Sequence, residues 1–332
     1  MTLEITLEKW QNLLRRDPLP NLLSSNNQAI VFFTKHDLQN EKANQVETLW
    51  ELPVAKKIAR NQRPDGSWKY PGAKLNIRSQ QNYNQIETYR ILGELVEKYG
   101  FNKSNKTLRK AADFLFSFQT SEGDFRGIYG NQYSPNYSAA IMELLIKSGY
   151  QNDLRIEKGF CWLLSCRQND GGWAIASRTR NVKITDFLFR AETMQPDKTK
   201  PFSHLVTGVV LRAFASHSKY RQLKEAEAAG KLLESRFFKK DAYPDRGTAD
   251  FWTKFSFPFW FTDLLSSLDS LSLLGFKMEE PQIKKAMDWL INVQNENGLW
   301  NVHLMKGKDK DLSLWIALAI CRVVKRFSTL KY

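Results

Sequence analysis

The sequence predicts an all-α protein made of about five copies of one helix pair stacked around a shared core. Three observations predict it. A turn motif recurs four times, apolar residues at helical spacing fill the intervals between its copies, and no segment alternates as a half-buried strand does.

The motif is a helix that ends in Gln, a short polar turn, Gly and an aromatic residue. AKKIARNQRPDGSW closes on Gln62, Gly66 and Trp68, and AADFLFSFQTSEGDF on Gln119, Gly123 and Phe125. GFCWLLSCRQNDGGW supplies Gln168, Gly172 and Trp173, and AMDWLINVQNENGLW supplies Gln294, Gly298 and Trp300. The glutamines are 57, 49 and 126 residues apart, so a degenerate copy is expected in the last gap. AAGKLLESRFFKKDAYPDRG fits there, its helix ending near Arg236.

Second helices fall between the copies: YNQIETYRILGELVEKYG, NYSAAIMELLIKSGY, HLVTGVVLRAFASH, TDLLSSLDSLSLLGF and LSLWIALAICRVVKRF. Gly100, Gly149 and Gly275 close three of them, as suits a left-handed helix end. Residues 1–48 hold shorter helical patterns and read as an N-terminal helical cap on the first repeat, with 49–332 as the repeat domain. In the turns, Pro64-Asp65-Gly66 and Asn295-Glu296-Asn297-Gly298 combine Gly with residues that bond local backbone. A Gln amide beside such a turn can satisfy free backbone groups at a helix end while the aromatic ring covers them, which is an architectural role.

Composition narrows the function classes. With 42% hydrophobic residues in 332, the chain can bury a sizeable core. Its 49 Lys and Arg against 35 Asp and Glu give a formal charge of +14. That charge favours an anionic partner, such as a diphosphate, nucleic acid or an acidic membrane surface, or serves solubility alone. The basic residues are scattered, which argues against nucleic acid. Three cysteines, Cys161, Cys166 and Cys321, are too few and too unevenly spaced for a disulfide framework. MTLEITLEKW lacks the long apolar core of a signal peptide, and Leu312 to Val324 is too short to span a bilayer, so a cytoplasmic protein is expected.

Over residues 50–332 the four Gln, Gly and aromatic turns resemble the squalene–hopene cyclase and protein prenyltransferase superfamily. The resemblance implies an α/α toroid of about five to six helical hairpins, in which helices after each turn line a central cavity, and an apolar isoprenoid (polyprenyl) substrate. It also implies functional residues at the N-terminal ends of those inner helices, where free N–H groups favour anions. Neither the Asp-x-Asp-Asp acid of class II cyclases nor the Asp-x-Cys zinc pattern of protein prenyltransferases stands in the sequence, so no metal ion and no cofactor is expected. Cys161 and Cys166 are five apart and off a common helix face.

At the inner-helix starts the sequence places Tyr83 and Glu87, Asn136 and Tyr137, His204, Trp260 with Asp263, and Trp315. Asp263 is the candidate acid or anchor and His204 a base or polar contact. Tyr83, Glu87, Asn136, Tyr137, Trp260 and Trp315 are candidate substrate contacts. Each has a plainer structural reading: Asp263 as a helix N-cap, His204 as a packed ring, the aromatics as core. The irregular stretch DAYPDRGTADFWTKFSFPFW is expected on a functional face, with Arg246, Asp250 and Lys254 presenting charge or simply solvated. Two function classes follow: a terpenoid-cyclase-like or prenyltransferase-like enzyme, or a non-catalytic ring that binds a lipid, peptide or protein partner. A glycan-active protein is a weaker third.

Overall fold

The computed structural model describes residues 10–41, 45–72, 81–244, 248–305 and 309–329. In chain order its helices are α1 (Leu19–Leu23), α2 (Gln28–Phe33), α3 (Pro53–Arg60), α4 (Tyr83–Tyr99) and α5 (Lys106–Phe116). They continue with α6 (Pro135–Leu145), α7 (Leu154–Ser165), α8 (Ala176–Thr179), α9 (Ile184–Phe189) and α10 (His204–Ser216). The last four are α11 (Lys224–Glu234), α12 (Leu264–Leu273), α13 (Pro281–Asn292) and α14 (Leu312–Thr329).

Helix starts carry the caps that their sequence announces. Asn82, Asn105, Ser134, Asp153 and Ser203 each turn a side-chain oxygen onto a free N–H in the first turn of α4, α5, α6, α7 and α10. Gly100, Gly149 and Gly275 take positive φ where three of the inner helices end. Outer helices are one-sided: α5 buries Leu108, Ala111, Ala112, Leu115 and Phe116, the i, i+3, i+4, i+7 stripe of a surface helix. Inner helices are buried nearly all round, as α6 is from Ser138 to Leu145.

The repeated turn is a clasp. Gln62 Nε2 donates to the carbonyl of Gly66 in its own turn at 3.0 Å and to that of Thr107, at the start of the next outer helix, at 2.8 Å. Gln119 does the same to Gly123 and Arg155, at 2.9 and 2.7 Å. The indole N–H groups of Trp68, Trp173 and Trp300 each reach back to a carbonyl ten residues earlier, on Ile58, Leu163 and Leu290. A further contact recurs that the sequence pattern did not reveal. The backbone N–H of Trp68, Phe125 and Trp173 donates to a hydroxyl on the following inner helix, from Thr88, Ser138 and Thr207. Outer helix, turn and inner helix are thereby locked together in the Trp68 and Trp173 copies, and turn and inner helix in the Phe125 copy.

Six outer-to-inner successions among the described residues run in chain order from α1 to α2, α3 to α4, α5 to α6, α7 to α10, α11 to α12 and α13 to α14. Inner helix α4 packs on α6, α6 on α10, α10 on α12, α12 on α14, α14 on α2, and α2 back on α4, so the ring closes. The N-terminal helices are thus the hairpin between the last and the first. Gln294 makes that joint: its Oε1 accepts from Arg15 N and Arg16 N at 2.9 and 3.1 Å, and its Nε2 donates to Arg16 O at 2.9 Å. Gly298, at φ +83°, brings its turn so close to the N-terminal segment that a Cβ there would lie 2.7 Å from the Asp17 carbonyl oxygen.

Two features differ from the sequence reading. Lys254–Phe255 and His303–Leu304 pair as a two-residue parallel ladder, too short to leave any alternation in the sequence. The irregular stretch after α11 does not remain on the surface. Asp250 is exposed and Arg246 lies outside the described residues, but the aromatic end, from Phe255 to Phe261, runs into the ring. Its apolar side chains have more to gain from burial than a solvated loop allows. In the degenerate copy, Trp252 supplies the missing indole, donating to the Lys239 carbonyl at 2.9 Å.

Gln294→Ala removes both sides of the closing joint and leaves part-buried N–H and C=O groups without their partner, which costs about 1–3 kcal/mol. Hydrogen exchange at the Arg15 and Arg16 amides should accelerate in this variant while α6 and α10 stay protected. Unchanged protection at residues 15–16 would refute the joint.

Candidate functional site

Six helices in a ring leave an axis that their own side chains do not fill. The loop 255–261 enters it and divides what remains. Phe257 stacks on Trp315, with centroids 5.5 Å apart and 11° between planes, and Phe259 meets Phe257 edge-on. Trp260 lies against the backbone of α4, where a Cβ on Gly93 would come within 2.5 Å of its Cη2. The Tyr89 ring meets that indole edge-on at 5.4 Å.

Three chambers result. The largest, about 800 Å3, opens toward the N-terminal ends of the inner helices and is walled by Tyr89, Tyr137, Phe257, Trp260 and Trp315, with Ile58, Ile86 and Leu312. A second, about 360 Å3, adjoins it behind Trp260 and is lined by Tyr129, Asn136, Ser203, Val209 and Asp241 among others. The third, about 610 Å3, lies at the opposite mouth, where Phe257 and Phe259 face Asp37, Lys147, Asp269, Arg322 and Arg326.

One side of the largest chamber is charged. Lys98, 4% exposed, directs its ammonium between Glu94 Oε2 at 2.6 Å and Asp309 Oδ2 at 2.7 Å, and lies 6.0 Å from the centre of the Trp315 ring. Burial lifts the Glu94 carboxyl above the ordinary carboxylate range against the opposing pull of Lys98. Asp311 accepts from Asn27 at 2.8 Å, and Arg90 and Lys310 complete the polar margin. Apolar volume with charge gathered at one end suits an elongated apolar ligand with one polar terminus.

Of the residues singled out in the sequence, Tyr137 and Trp260 stand between the two adjoining chambers, Trp315 lines the larger and Asn136 the smaller. Tyr83, Glu87, His204 and Asp263 line none of the three chambers. Tyr83 packs on Tyr70, and Glu87 pairs with Arg90 at 2.8 Å. His204 is stacked on Trp252 at 4.6 Å, its Nδ1 lies 3.5 Å from Asp241, and burial pulls it down to about 4.

Asp263 is the N-cap of α12 in a full capping box: Oδ1 accepts from Ser266 N at 2.7 Å, and the Ser266 hydroxyl accepts from Asp263 N. It is 1% exposed, its Oδ2 makes no hydrogen bond, and burial raises it to about 7. Arg212 is close enough to oppose that rise but is committed to Glu143 at 2.8 Å and to the Phe261 carbonyl at 3.3 Å.

Sequence reasoning missed Glu94, Lys98 and Asp309. Glu94 and Lys98 are one turn apart but deep in α4, beyond the first turn where functional groups were sought. Asp309 and Asp311 do precede an inner helix, and that spacing was a legible signal. Among the described residues, no three His, Cys, Asp or Glu side chains converge as metal ligands do, and no helix is long and apolar enough to cross a membrane. Cys161 is exposed and Cys166 buried, with burial pushing the Cys166 thiol up to about 12.

Asp263 sets a pH dependence whose sign is fixed. Its folded value of about 7 lies above the ordinary aspartate value of 3.8, so the folded state holds the extra proton. Stability is therefore full below about pH 4 and declines as pH rises to about 7, by a few kcal/mol at most. Asp263→Asn keeps an oxygen for the Ser266 N–H and removes the titration. Denaturant midpoints at pH 5 and pH 8 should lie closer together in the variant than in the parent, and equal gaps would sink this assignment.

The family described as squalene-hopene cyclase C-terminal domain matches this chain over residues 82–185 and 140–314. A squalene–hopene cyclase from Bradyrhizobium diazoefficiens is 26% identical over 184 residues, which is 52% of this chain and 26% of that protein. The match thus takes in about a quarter of that relative's length. Among solved structures, the type II terpene cyclase MstE from Scytonema, in its apo form, is 13% identical, with 94% of this chain and 99% of that chain covered at a TM-score of 0.46. A polysaccharide lyase is 11% identical over 92% of each chain, at 0.47.

Proposed function

The chain belongs to the squalene-hopene cyclase C-terminal domain family, and from that premise we propose that it is a terpenoid-cyclase-like protein acting on a polyprenyl, isoprenoid-like molecule in its largest chamber. The observation that carries the reading is the joining of an aromatic-walled volume of about 800 Å3 to a single charged margin at Lys98. Ring faces there would contact an apolar chain and stabilise a carbocation. The polar terminus of the ligand would lie toward Lys98, Arg90 and Lys310.

Glu94 is the acid this arrangement favours, since it lines the chamber and burial favours its protonated form. Its proton would pass to an alkene carbon, the π pair forming the new C–H bond and leaving the neighbouring carbon as a cation. The resulting carboxylate is compensated by Lys98, and it can take a proton back from the cyclised cation when a new C=C bond forms. Trp260, Tyr89 and Trp315 present the aromatic wall through these steps.

A second reading is a non-catalytic ring that only binds the ligand, and one observation favours it. Glu94 and Asp309 share the Lys98 ammonium, which opposes the protonated form that an acid must start from. Incubation with farnesyl and geranylgeranyl compounds, read by native mass spectrometry for binding and by product analysis for turnover, separates the two. Cyclised product that disappears in Glu94→Gln supports the enzyme with Glu94 as acid. Loss instead in Asp263→Asn, with its melting temperature kept, returns that role to Asp263. Binding without product supports the ring scaffold, and no binding at all refutes the ligand class. Trp315→Ala should weaken binding about tenfold by removing one ring of the wall.

A further inference from the structure

We infer that Trp260 is a partition that sets how long a ligand the ring interior accepts, and that the smaller chamber behind it is the extension site for a longer chain. The inference rests on the proposed polyprenyl ligand and concerns which lengths of it fit. Two cavities of about 800 and 360 Å3 share four wall residues, Tyr89, Tyr137, Trp260 and Phe261. What separates them is therefore side chain rather than helix.

The indole is held firmly in that wall. Its ring lies in the notch of Gly93, which a methyl group there would fill to within 2.5 Å of Cη2. Its backbone N–H donates to Ser256 Oγ at 3.2 Å. The residues after it are tied down as well, the Phe261 carbonyl by Arg212 and Thr262 Oγ1 by its bond to the Leu205 carbonyl at 2.7 Å. Tyr89 braces the indole edge-on, and Tyr137 in turn stands edge-on to Tyr89 and Tyr129, at 6.1 and 5.2 Å. A partition so braced resists displacement by an apolar chain end, so a ligand too long for the first chamber is excluded by steric contact.

Behind the wall the surface suits the tail of such a chain. Ala140, Ile175, Leu205, Val206 and Val209 line it. Its polar lining comes from Asn136, Ser177, Arg178 and Thr262, with Ser203 donating to Asp241 at 2.5 Å.

The test uses the full chain with linear polyprenyl alcohols of increasing length, from geraniol through farnesol and geranylgeraniol to longer homologues, and ranks their affinities by competition. The parent should bind best at one length and lose affinity beyond it. Trp260→Ala should move the optimum to a longer homologue and raise the long-to-short affinity ratio at least about tenfold, the scale at which a pocket wall discriminates added methylenes. Trp260→Phe, a gentler change that keeps a ring in place, should move it the same way by less. Ile175→Phe added to Trp260→Ala fills the smaller chamber and should restore the preference for shorter chains. An unchanged length preference in the folded Trp260 variants overturns the partition alone. Failure of the parent to bind any of the alcohols overturns the ligand reading and the partition together.

Discussion

The side chain of Gln294 ties residues that are about 280 positions apart, and the closed ring depends on it. An amide offers one acceptor and two donors, and here the acceptor takes two backbone N–H groups of the N-terminal segment while the donors reach carbonyls on both sides of the joint. Gln62 and Gln119 repeat the donor half of this arrangement between successive outer helices. Helix ends leave backbone groups without partners, so a ring of hairpins exposes such groups at every junction. The Gln of a motif turn satisfies them and fixes the neighbour's position in the same contact.

Closure creates the problem that the interior solves. Each inner helix has neighbours on two sides, but the axis faces none of them. The aromatic loop from Phe255 to Phe261 fills the gap, and Gly93 makes room for it by omitting a side chain on α4. Beneath the loop, Arg212 on α10 pairs with Glu143 on α6 at 2.8 Å, and Lys147 joins Glu143 to Glu97 at 2.8 and 2.6 Å. Arg212 and Glu143 are buried while Lys147 and Glu97 reach the surface, and the paired cations hold Glu143 ionised, below the usual carboxylate range, in spite of its burial. The network gives α6, α10 and α4 a fixed mutual register around the chambers.

Two acids in the ring show how environment divides roles. Asp263 has no hydrogen bond to its outer oxygen and is lifted toward neutrality by burial, yet it is occupied as a cap and faces none of the three chambers. Glu94 faces the largest chamber but has an ammonium at 2.6 Å. A raised value alone would have pointed to the first, whereas access to ligand points to the second.

The sequence by itself determined the helix pairs, their turns and the clasps, because each is written in residues a few positions apart: the 3.6-residue periodicity, the Gln, Gly and aromatic spacing, and caps such as Ser134 and Asp153. It also placed Tyr137 and Trp315 in the interior by their position at inner-helix starts. Only the tertiary structure decided that α1 and α2 complete the circle, that the loop after α11 turns inward, and that Lys98 meets Asp309 across 211 residues of chain. The physical reason is common to all three. Local periodicity reports which face of an element is apolar, whereas meetings between distant segments follow from how six curved joints sum to one full turn, which no short stretch of sequence encodes.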